Sequence, residues 1–294
     1  MEPFLEPTPL IASPALGIQL KLETVQPTGS FKVRGAFAAL TRLDEGTAVV
    51  TASAGNHGLG VAYAAETLEL HATVVCAETA SPAKVERLRG FPIDLVLHGE
   101  SYDDAESHAL ALARESGQYI SAYNDPCVIA GAGVIGVELL AELDGPFTVV
   151  TPLGGGGLAS GVALAAKSRP GVRVIGVQSS ASPTFRVALD AGRVVRVELL
   201  PSLADGLSGN LESGTITFEL VRDHVDEVIV TSEDDVANGM RYLYREHGIV
   251  AEGAGAIGVG AVLAGLIPTQ DPVVCTITGR NVHEDTLARV LGSE

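Results

Sequence analysis

Short apolar runs recur along the chain at 18–22, 48–51, 72–76, 95–97, 148–151, 172–177, 228–231 and 273–278, and each reads as a strand. Between most of them the apolar positions fall into helical spacing, which predicts helices at 30–43, 57–68, 83–88, 103–115, 129–143, 158–166, 233–247 and 283–291. Strands alternating with helices of about 10–15 residues predict parallel sheets. Because the strands are apolar nearly throughout, helices should cover both faces of each sheet. The fold class is α/β, and no internal repeat or low-complexity linker interrupts it.

Two turn-rich segments join predicted strands to predicted helices. One is Thr51-Ala52-Ser53-Ala54-Gly55-Asn56-His57-Gly58, and the other is Thr151-Pro152-Leu153-Gly154-Gly155-Gly156-Gly157-Leu158. Ligands of open α/β sheets sit at the carboxyl ends of strands, where both segments lie. Two such loops about 100 residues apart in sequence suggest two lobes.

The four glycines from Gly154 to Gly157 leave backbone N–H groups bare at a helix start, where the dipole also favours an anion. A flexible turn is the alternative, but four successive glycines carry a large entropic cost that such a turn does not need. The expected guest is a phosphate. A dinucleotide is the rival, since Gly155, Gly157 and Gly161 approximate its fingerprint, yet the next strand ends in Gln178, Ser179 and Ser180 with no carboxylate for a ribose. No Gly-Lys-Ser/Thr follows either, which leaves a single phosphate monoester as the better fit.

Composition narrows the chemistry. With 294 residues and 46% hydrophobic content the chain can bury a large core, about two domains in size. The formal net charge of −17 argues against a nucleic-acid partner, because such binding neutralises phosphates with Lys and Arg. No apolar run is long enough to span a bilayer, and Met1-Glu2-Pro3-Phe4-Leu5-Glu6-Pro7 has no secretory leader's character, so a cytoplasmic location is expected. Cys76, Cys127 and Cys275 are too scattered for a ligand set and read as reduced thiols, and the seven histidines form no metal-binding pair. Only Lys21, Lys32, Lys84 and Lys167 represent lysine among 19 basic residues, so each is a candidate for chemistry rather than solubility. Lys32 follows a Pro27-Thr28-Gly29 turn at a helix start, where its amine could serve carbonyl chemistry once burial lowers its pKa. A solvated surface amine is the alternative.

The neighbours of Lys32 decide between them. Thr28-Gly29-Ser30-Phe31-Lys32-Val33-Arg34-Gly35-Ala36 resembles the Schiff-base segment of the fold-type II pyridoxal-phosphate enzymes, in the serine/threonine dehydratase and serine racemase branch. Ser53-Ala54-Gly55-Asn56-His57 resembles the branch's substrate-carboxylate loop, and Gly154-Gly155-Gly156-Gly157-Leu158 its phosphate cup. Ala204-Asp205-Gly206, Glu252-Gly253-Ala254-Gly255 and Thr278-Gly279-Arg280-Asn281 resemble later landmarks in the same order, so the match runs from about Thr8 to Asn281.

The resemblance implies a two-lobed, tryptophan-synthase-β-like fold, each lobe an open, mostly parallel sheet with helices on both faces. It implies a large cofactor-binding domain of residues 1–47 plus 123–294 and a small mobile domain of residues 48–122 that closes over the substrate. By the same resemblance Lys32 holds pyridoxal phosphate, Phe31 flanks its ring and Asn56 meets its phenolic oxygen. Gly154, Gly155, Gly156, Gly157 and Leu158 take its phosphate, Gly206 allows approach to the ring face, Glu252 faces the cofactor and Thr278 meets the pyridine nitrogen. Backbone donors around Ser53, Ala54, Asn56 and His57 take the carboxylate of a small amino-acid substrate. The implied activity is dehydration and deamination of L-threonine or L-serine by a homodimer. Racemisation, threonine-synthase-like chemistry and a non-catalytic carrier of the cofactor are the alternatives.

Several positions depart from the branch's pattern. Racemases carry a serine where Ala54 stands, and an alanine cannot move a proton, which favours elimination. The branch's divalent-cation site uses a Glu that aligns with Gln178 and a downstream acid near Thr184, so no metal is expected. Arg280 replaces a small residue and either reaches solvent or approaches the pyridine edge or the substrate. Ala132 replaces a commoner Gln without a consequence we can name. The chain lacks the helix that commonly precedes Thr8 and ends near Leu291, so control through a C-terminal regulatory domain is not expected.

Overall fold

The computed structural model describes residues 4–292; residues 1–3, part of the segment read as carrying no leader, lie outside them. In chain order the described residues form β1 (Leu10–Ser13), β2 (Ile18–Leu22), α1 (Lys32–Leu40), β3 (Ala48–Ala52), α2 (Asn56–Thr67), β4 (Ala72–Cys76), α3 (Pro82–Arg89), β5 (Asp94–Leu97), α4 (Tyr102–Ser116) and β6 (Gly117–Tyr119). They continue with α5 (Pro126–Glu142), β7 (Thr148–Pro152), α6 (Gly157–Ala166), β8 (Arg173–Ser179), α7 (Thr184–Ala191), α8 (Ile216–His224), β9 (Glu227–Thr231), α9 (Glu233–His247), α10 (Gly253–Leu263), β10 (Val273–Ile277) and α11 (Glu284–Gly292). The chain divides into two compact units: the segment ending at Glu6 with Gln26–Gly131, and Pro7–Val25 with the residues from Ala132 onward.

In the first unit four parallel strands lie in the order β5-β4-β3-β6. Val49 of β3 packs with Val33, Phe37 and Leu40 of α1 and with Val61 and Ala65 of α2. Its neighbour Val50 packs on the opposite face with Ala105 and Ala109 of α4. Successive side chains of a strand point to opposite faces, so an unbroken apolar run is what a sheet covered on both sides requires. The order also creates a switch point. From β3 the chain passes through α2 to β4 on one side, whereas β6 joins β3 on the other, and the backbone parts at the carboxyl end of β3.

The second unit holds six strands in the order β1-β2-β10-β7-β8-β9. All neighbours are parallel except β1, which pairs antiparallel with β2 at the edge. Helices α9 and α10 cover one face through Val236, Met240, Ile257 and Val259, and Phe185 and Phe218 of α7 and α8 help cover the other. Here the switch point lies between β7 and β10, since β8 and β9 follow β7 to one side and β10 enters on the other.

Helices α7, α8 and α10 and strands β1 and β6 were not predicted. Helix α10 reads Gly-Ala-Gly-Ala-Ile-Gly-Val-Gly-Ala-Val-Leu, glycine-rich and apolar on every side, so it offers neither propensity nor a polar face to the sequence. Packing decides its form: a Cβ at Gly260 would stand 2.2 Å from the Asp235 carbonyl oxygen, so only glycine lets it lie this close to α9. Strand β6 reads Gly-Gln-Tyr and offers no apolar run, and β1 is a short edge strand set between Pro9 and Pro14, whose turn signals mask it.

Lys21 of β2 is fully buried. Its Nζ donates to the Thr8 carbonyl oxygen at 2.6 Å and to Glu142 Oε1 at 2.5 Å, and stands 2.9 Å from Glu138 Oε2. Thr8 in turn donates its hydroxyl to buried Glu23 at 2.6 Å. The network fixes the segment before β1 to the C-terminal part of α5. Lys21→Met leaves the Thr8 carbonyl without its donor and the partly exposed Glu138 and Glu142 without their cation, and we expect it to cost about 1–3 kcal/mol, read from chemical denaturation midpoints; a loss below about 0.5 kcal/mol would show that the network contributes little.

Candidate active site

Lys32 is the first residue of α1 and half-buried. Its Nζ donates to the Ala122 carbonyl oxygen at 2.7 Å and stands 5.3 Å from the Phe31 ring centroid. Ala122 lies in the turn that leaves β6, on one side of the first unit's switch point. On the other side, β3 runs into Ser53-Ala54-Gly55 and then into α2, which begins at Asn56. A Cβ at Gly60 would stand 3.0 Å from the Lys32 carbonyl carbon, so α2 lies directly on the backbone that carries the lysine. The carboxylate-loop candidates and Lys32 thus gather at the carboxyl end of β3.

His57 joins the two sides. Its Nε2 pairs at 3.0 Å with the Ile120 carbonyl oxygen, which also accepts the Thr51 hydroxyl at 2.8 Å. A carbonyl only accepts, so Nε2 carries the proton and Nδ1 presents a lone pair, buried and without a partner. Burial, with the Lys32 charge nearby, pulls the His57 pKa down to about 3 against the weaker opposing effect of the Ile120 carbonyl. The imidazole is therefore neutral near pH 7. Ser30, two residues before Lys32, likewise buries a hydroxyl with no partner.

In the second unit the remaining candidates gather around the ends of β7 and β10. Gly156 precedes α6 with φ +90°, a left-handed conformation that favours glycine, and a Cβ there would meet Phe185 Cζ at 2.6 Å. No side chain caps α6, so its first N–H groups point toward the glycine loop. The Thr217 hydroxyl donates to the Gly155 carbonyl oxygen at 2.8 Å and so satisfies it within the loop. A Cβ at Gly154 would lie 3.0 Å from Leu207 Cα, which brings the 205–207 turn and Gly206 beside the loop. Glu252, 7% exposed, precedes α10 and donates its backbone N–H to the Gly279 carbonyl oxygen at 3.0 Å, next to buried Thr278. Arg280 is exposed.

Some positioning residues carried no signal in the sequence. Glu233, the first residue of α9, accepts the Ser202 hydroxyl at 2.7 Å and the Leu203 N–H at 2.6 Å, and so holds the loop leading to Gly206. The carbonyls of Ile120 and Ala122 act through backbone alone, which no residue type announces. The other lysines are engaged elsewhere or lie on other elements: Lys21 is in the buried network, Lys167 grips Asp226 with 2.7 Å contacts to both carboxylate oxygens, and Lys84 is on α3. Burial pushes the Cys76 and Cys275 thiols up to about 11 and about 12, so both stay protonated. Among the described residues no cluster of His, Cys, Asp and Glu could hold a metal, and no helix is long and apolar enough to cross a membrane.

The depressed His57 pKa has a measurable consequence. The unfolded chain takes up this proton near pH 6.5 and the folded one only near pH 3, so the folded state loses ground as pH falls through that window. His57→Gln keeps an N–H for the Ile120 carbonyl and removes the titration. Between pH 7 and pH 5 we expect the wild type to lose about 2 kcal/mol more than His57→Gln in denaturant midpoints. Parallel pH profiles would mean that His57 takes up its proton at the same pH folded as unfolded.

A family model for pyridoxal-phosphate dependent enzymes matches residues 1–279. The chain is 42% identical to an L-threonine ammonia-lyase of Thermotoga maritima over 93% of this chain and 69% of that protein. Among solved structures, processed threonine deaminase isoform 2 from Solanum lycopersicum superposes with a TM-score of 0.91 at 31% identity, covering 97% of this chain and 82% of that one. Maize serine racemase does so with a TM-score of 0.91 at 29% identity, covering 98% and 92%. With its lysine at one switch point and its glycine cup at the other, the chain belongs to the pyridoxal-phosphate dependent enzymes of fold type II, in the branch of the serine and threonine dehydratases and serine racemase.

Proposed function

We propose that this enzyme is an ammonia-lyase that converts L-threonine or L-serine to a 2-oxo acid and ammonia. The observation that carries the reading is its 42% identity, over nearly the whole chain, to an L-threonine ammonia-lyase. The residues present fit pyridoxal phosphate: a half-buried lysine supplies an amine, and an uncapped helix start behind Gly154–Gly157 supplies donors for a phosphate. Pyridoxal phosphate, when bound, supplies an aldehyde that takes up an amine and a ring that draws electrons from the attached carbon.

Lys32 would hold the cofactor through its ε-amine, with Phe31 beside the ring and Asn56 at the phenolic oxygen. Backbone N–H groups of Gly154 to Gly157 and Leu158 would take the phosphate. Gly206 would leave room at the ring face, and Glu252 would face the cofactor. The Thr278 hydroxyl, neutral where an Asp would be charged, would meet the pyridine nitrogen without holding a proton there, which suits prompt loss of a β-leaving group. Donors at Ser53, Ala54, Asn56 and His57 would hold the substrate carboxylate. With its amine displaced by substrate, Lys32 Nζ would take the Cα proton, and a proton passed to the β-hydroxyl as the Cβ–O bond breaks would let it leave as water. A second water would then replace the nitrogen and release ammonia.

Ala54 separates this reading from racemisation. It has no hydroxyl with which to return a proton to the opposite face of Cα, so Lys32 would act alone. Residues 48–122 would form the mobile part that closes over the substrate and excludes water. A homodimer in the cytoplasm is the form usual for the family, and we propose it here.

Incubation with L-threonine, L-serine and O-phosphohomoserine separates the readings by product. We expect ammonia and a 2-oxo acid from L-threonine or L-serine, lowered by at least about 1,000-fold in Lys32→Ala. D-Serine as the main product, or threonine from O-phosphohomoserine, would overturn the reading, as would cofactor binding with no turnover on any of the three.

A further inference from the structure

Gln178, near the end of β8, is fully buried. Its Oε1 accepts the backbone N–H of Arg186 at 2.9 Å, and since that donor cannot reverse, the orientation of the amide is determined. Nε2 then faces three oxygens: the Leu153 carbonyl at 3.2 Å, Thr184 Oγ1 at 3.2 Å and the Ser182 carbonyl at 3.4 Å. Two N–H groups serve three acceptors, and the Ser182 carbonyl is the most distant.

Oxygens that converge on one point from a loop, a turn and a helix start suit a hard cation, but such a site also needs anionic ligands at about 2.3–2.6 Å. Among the described residues none is present: the positions where related enzymes place carboxylates hold Gln178 and Thr184, and their amide and hydroxyl bond to each other. These residues do not fit a divalent cation. We infer that the Gln178 amide is the electropositive centre of this oxygen cage and holds the root of the glycine loop without a metal.

Leu153, immediately before Gly154, donates its N–H to the Val177 carbonyl at 2.8 Å and gives its own carbonyl to Gln178. Both polar groups of the residue that launches the loop are thus tied to the end of β8. Gln178 is a positioning residue for the phosphate cup, acting through Leu153, and in this sense the inference rests on the reading of that loop proposed above.

The test uses the holoenzyme, its thermal midpoint and the visible absorption of its cofactor, with EDTA or with Mg²⁺, Ca²⁺ or Mn²⁺ added. The wild type should hold the same midpoint and absorption in every condition. Gln178→Glu turns a carboxylate toward two carbonyl oxygens, so its midpoint in EDTA should fall by about 5 °C or more, and the cations should restore much of that loss. A wild-type midpoint that moves with cations overturns the inference, as does a Gln178→Glu protein that is unaffected in EDTA or gains nothing from the cations. If Gln178→Glu does not fold, the wild-type comparison and Gln178→Met, expected to lose stability equally with and without cations, decide the matter. None of these readouts needs turnover, so failure of the ammonia-lyase reading would leave them interpretable.

Discussion

In each sheet of this protein one strand sends its successor to one side while another strand joins it on the other. At that strand's carboxyl end the connections diverge, and the backbone groups between them have no strand to pair with. The end of β3 beside β6 and the end of β7 beside β10 are these places. The residues proposed to serve the chemistry stand within a few residues of one of them or are held there by neighbours that do. In the first unit the carbonyls of Ile120 and Ala122, leaving β6, grip His57 and Lys32. In the second, the glycine loop leaves β7 and Thr278 leaves β10.

Polar groups without partners are costly inside a protein, so their location is informative. Ser30 Oγ and His57 Nδ1 are buried and unpaired close to Lys32 in sequence or charge, and Ser160 Oγ is unpaired in the first turns of α6. The fold holds His57 neutral and denies it a second hydrogen bond, a stability cost tolerated where a ligand or a reacting amine is to be served. Ser182 Oγ, beside the Gln178 amide, is a further buried hydroxyl without a partner, whereas the Lys21 ammonium and the Gln178 amide itself have theirs.

Much of this was legible in the sequence. The alternation of strands and helices marked the parallel sheets, because a strand buried on both faces must be apolar at successive positions. The glycine run and the lysine segment stood out for a similar reason: each residue type there is costly unless chemistry requires it. What the sequence hid were features made by backbone or by packing. Helix α10 is apolar on all sides and glycine-rich, so only its contact with α9 explains it. The carbonyls that hold Lys32 and His57 are common to every residue type. Gln178 could be read as a missing carboxylate, but not as a donor that meets three oxygens.

The central claim is that Lys32 carries the cofactor. Borohydride reduction of the holoenzyme followed by peptide mapping reads it directly, since reduction makes the lysine–cofactor bond permanent. The account predicts one phosphopyridoxyl adduct, on the peptide that contains Lys32. An adduct on Lys21, Lys84 or Lys167 in its place, or no stable adduct at all, would contradict it.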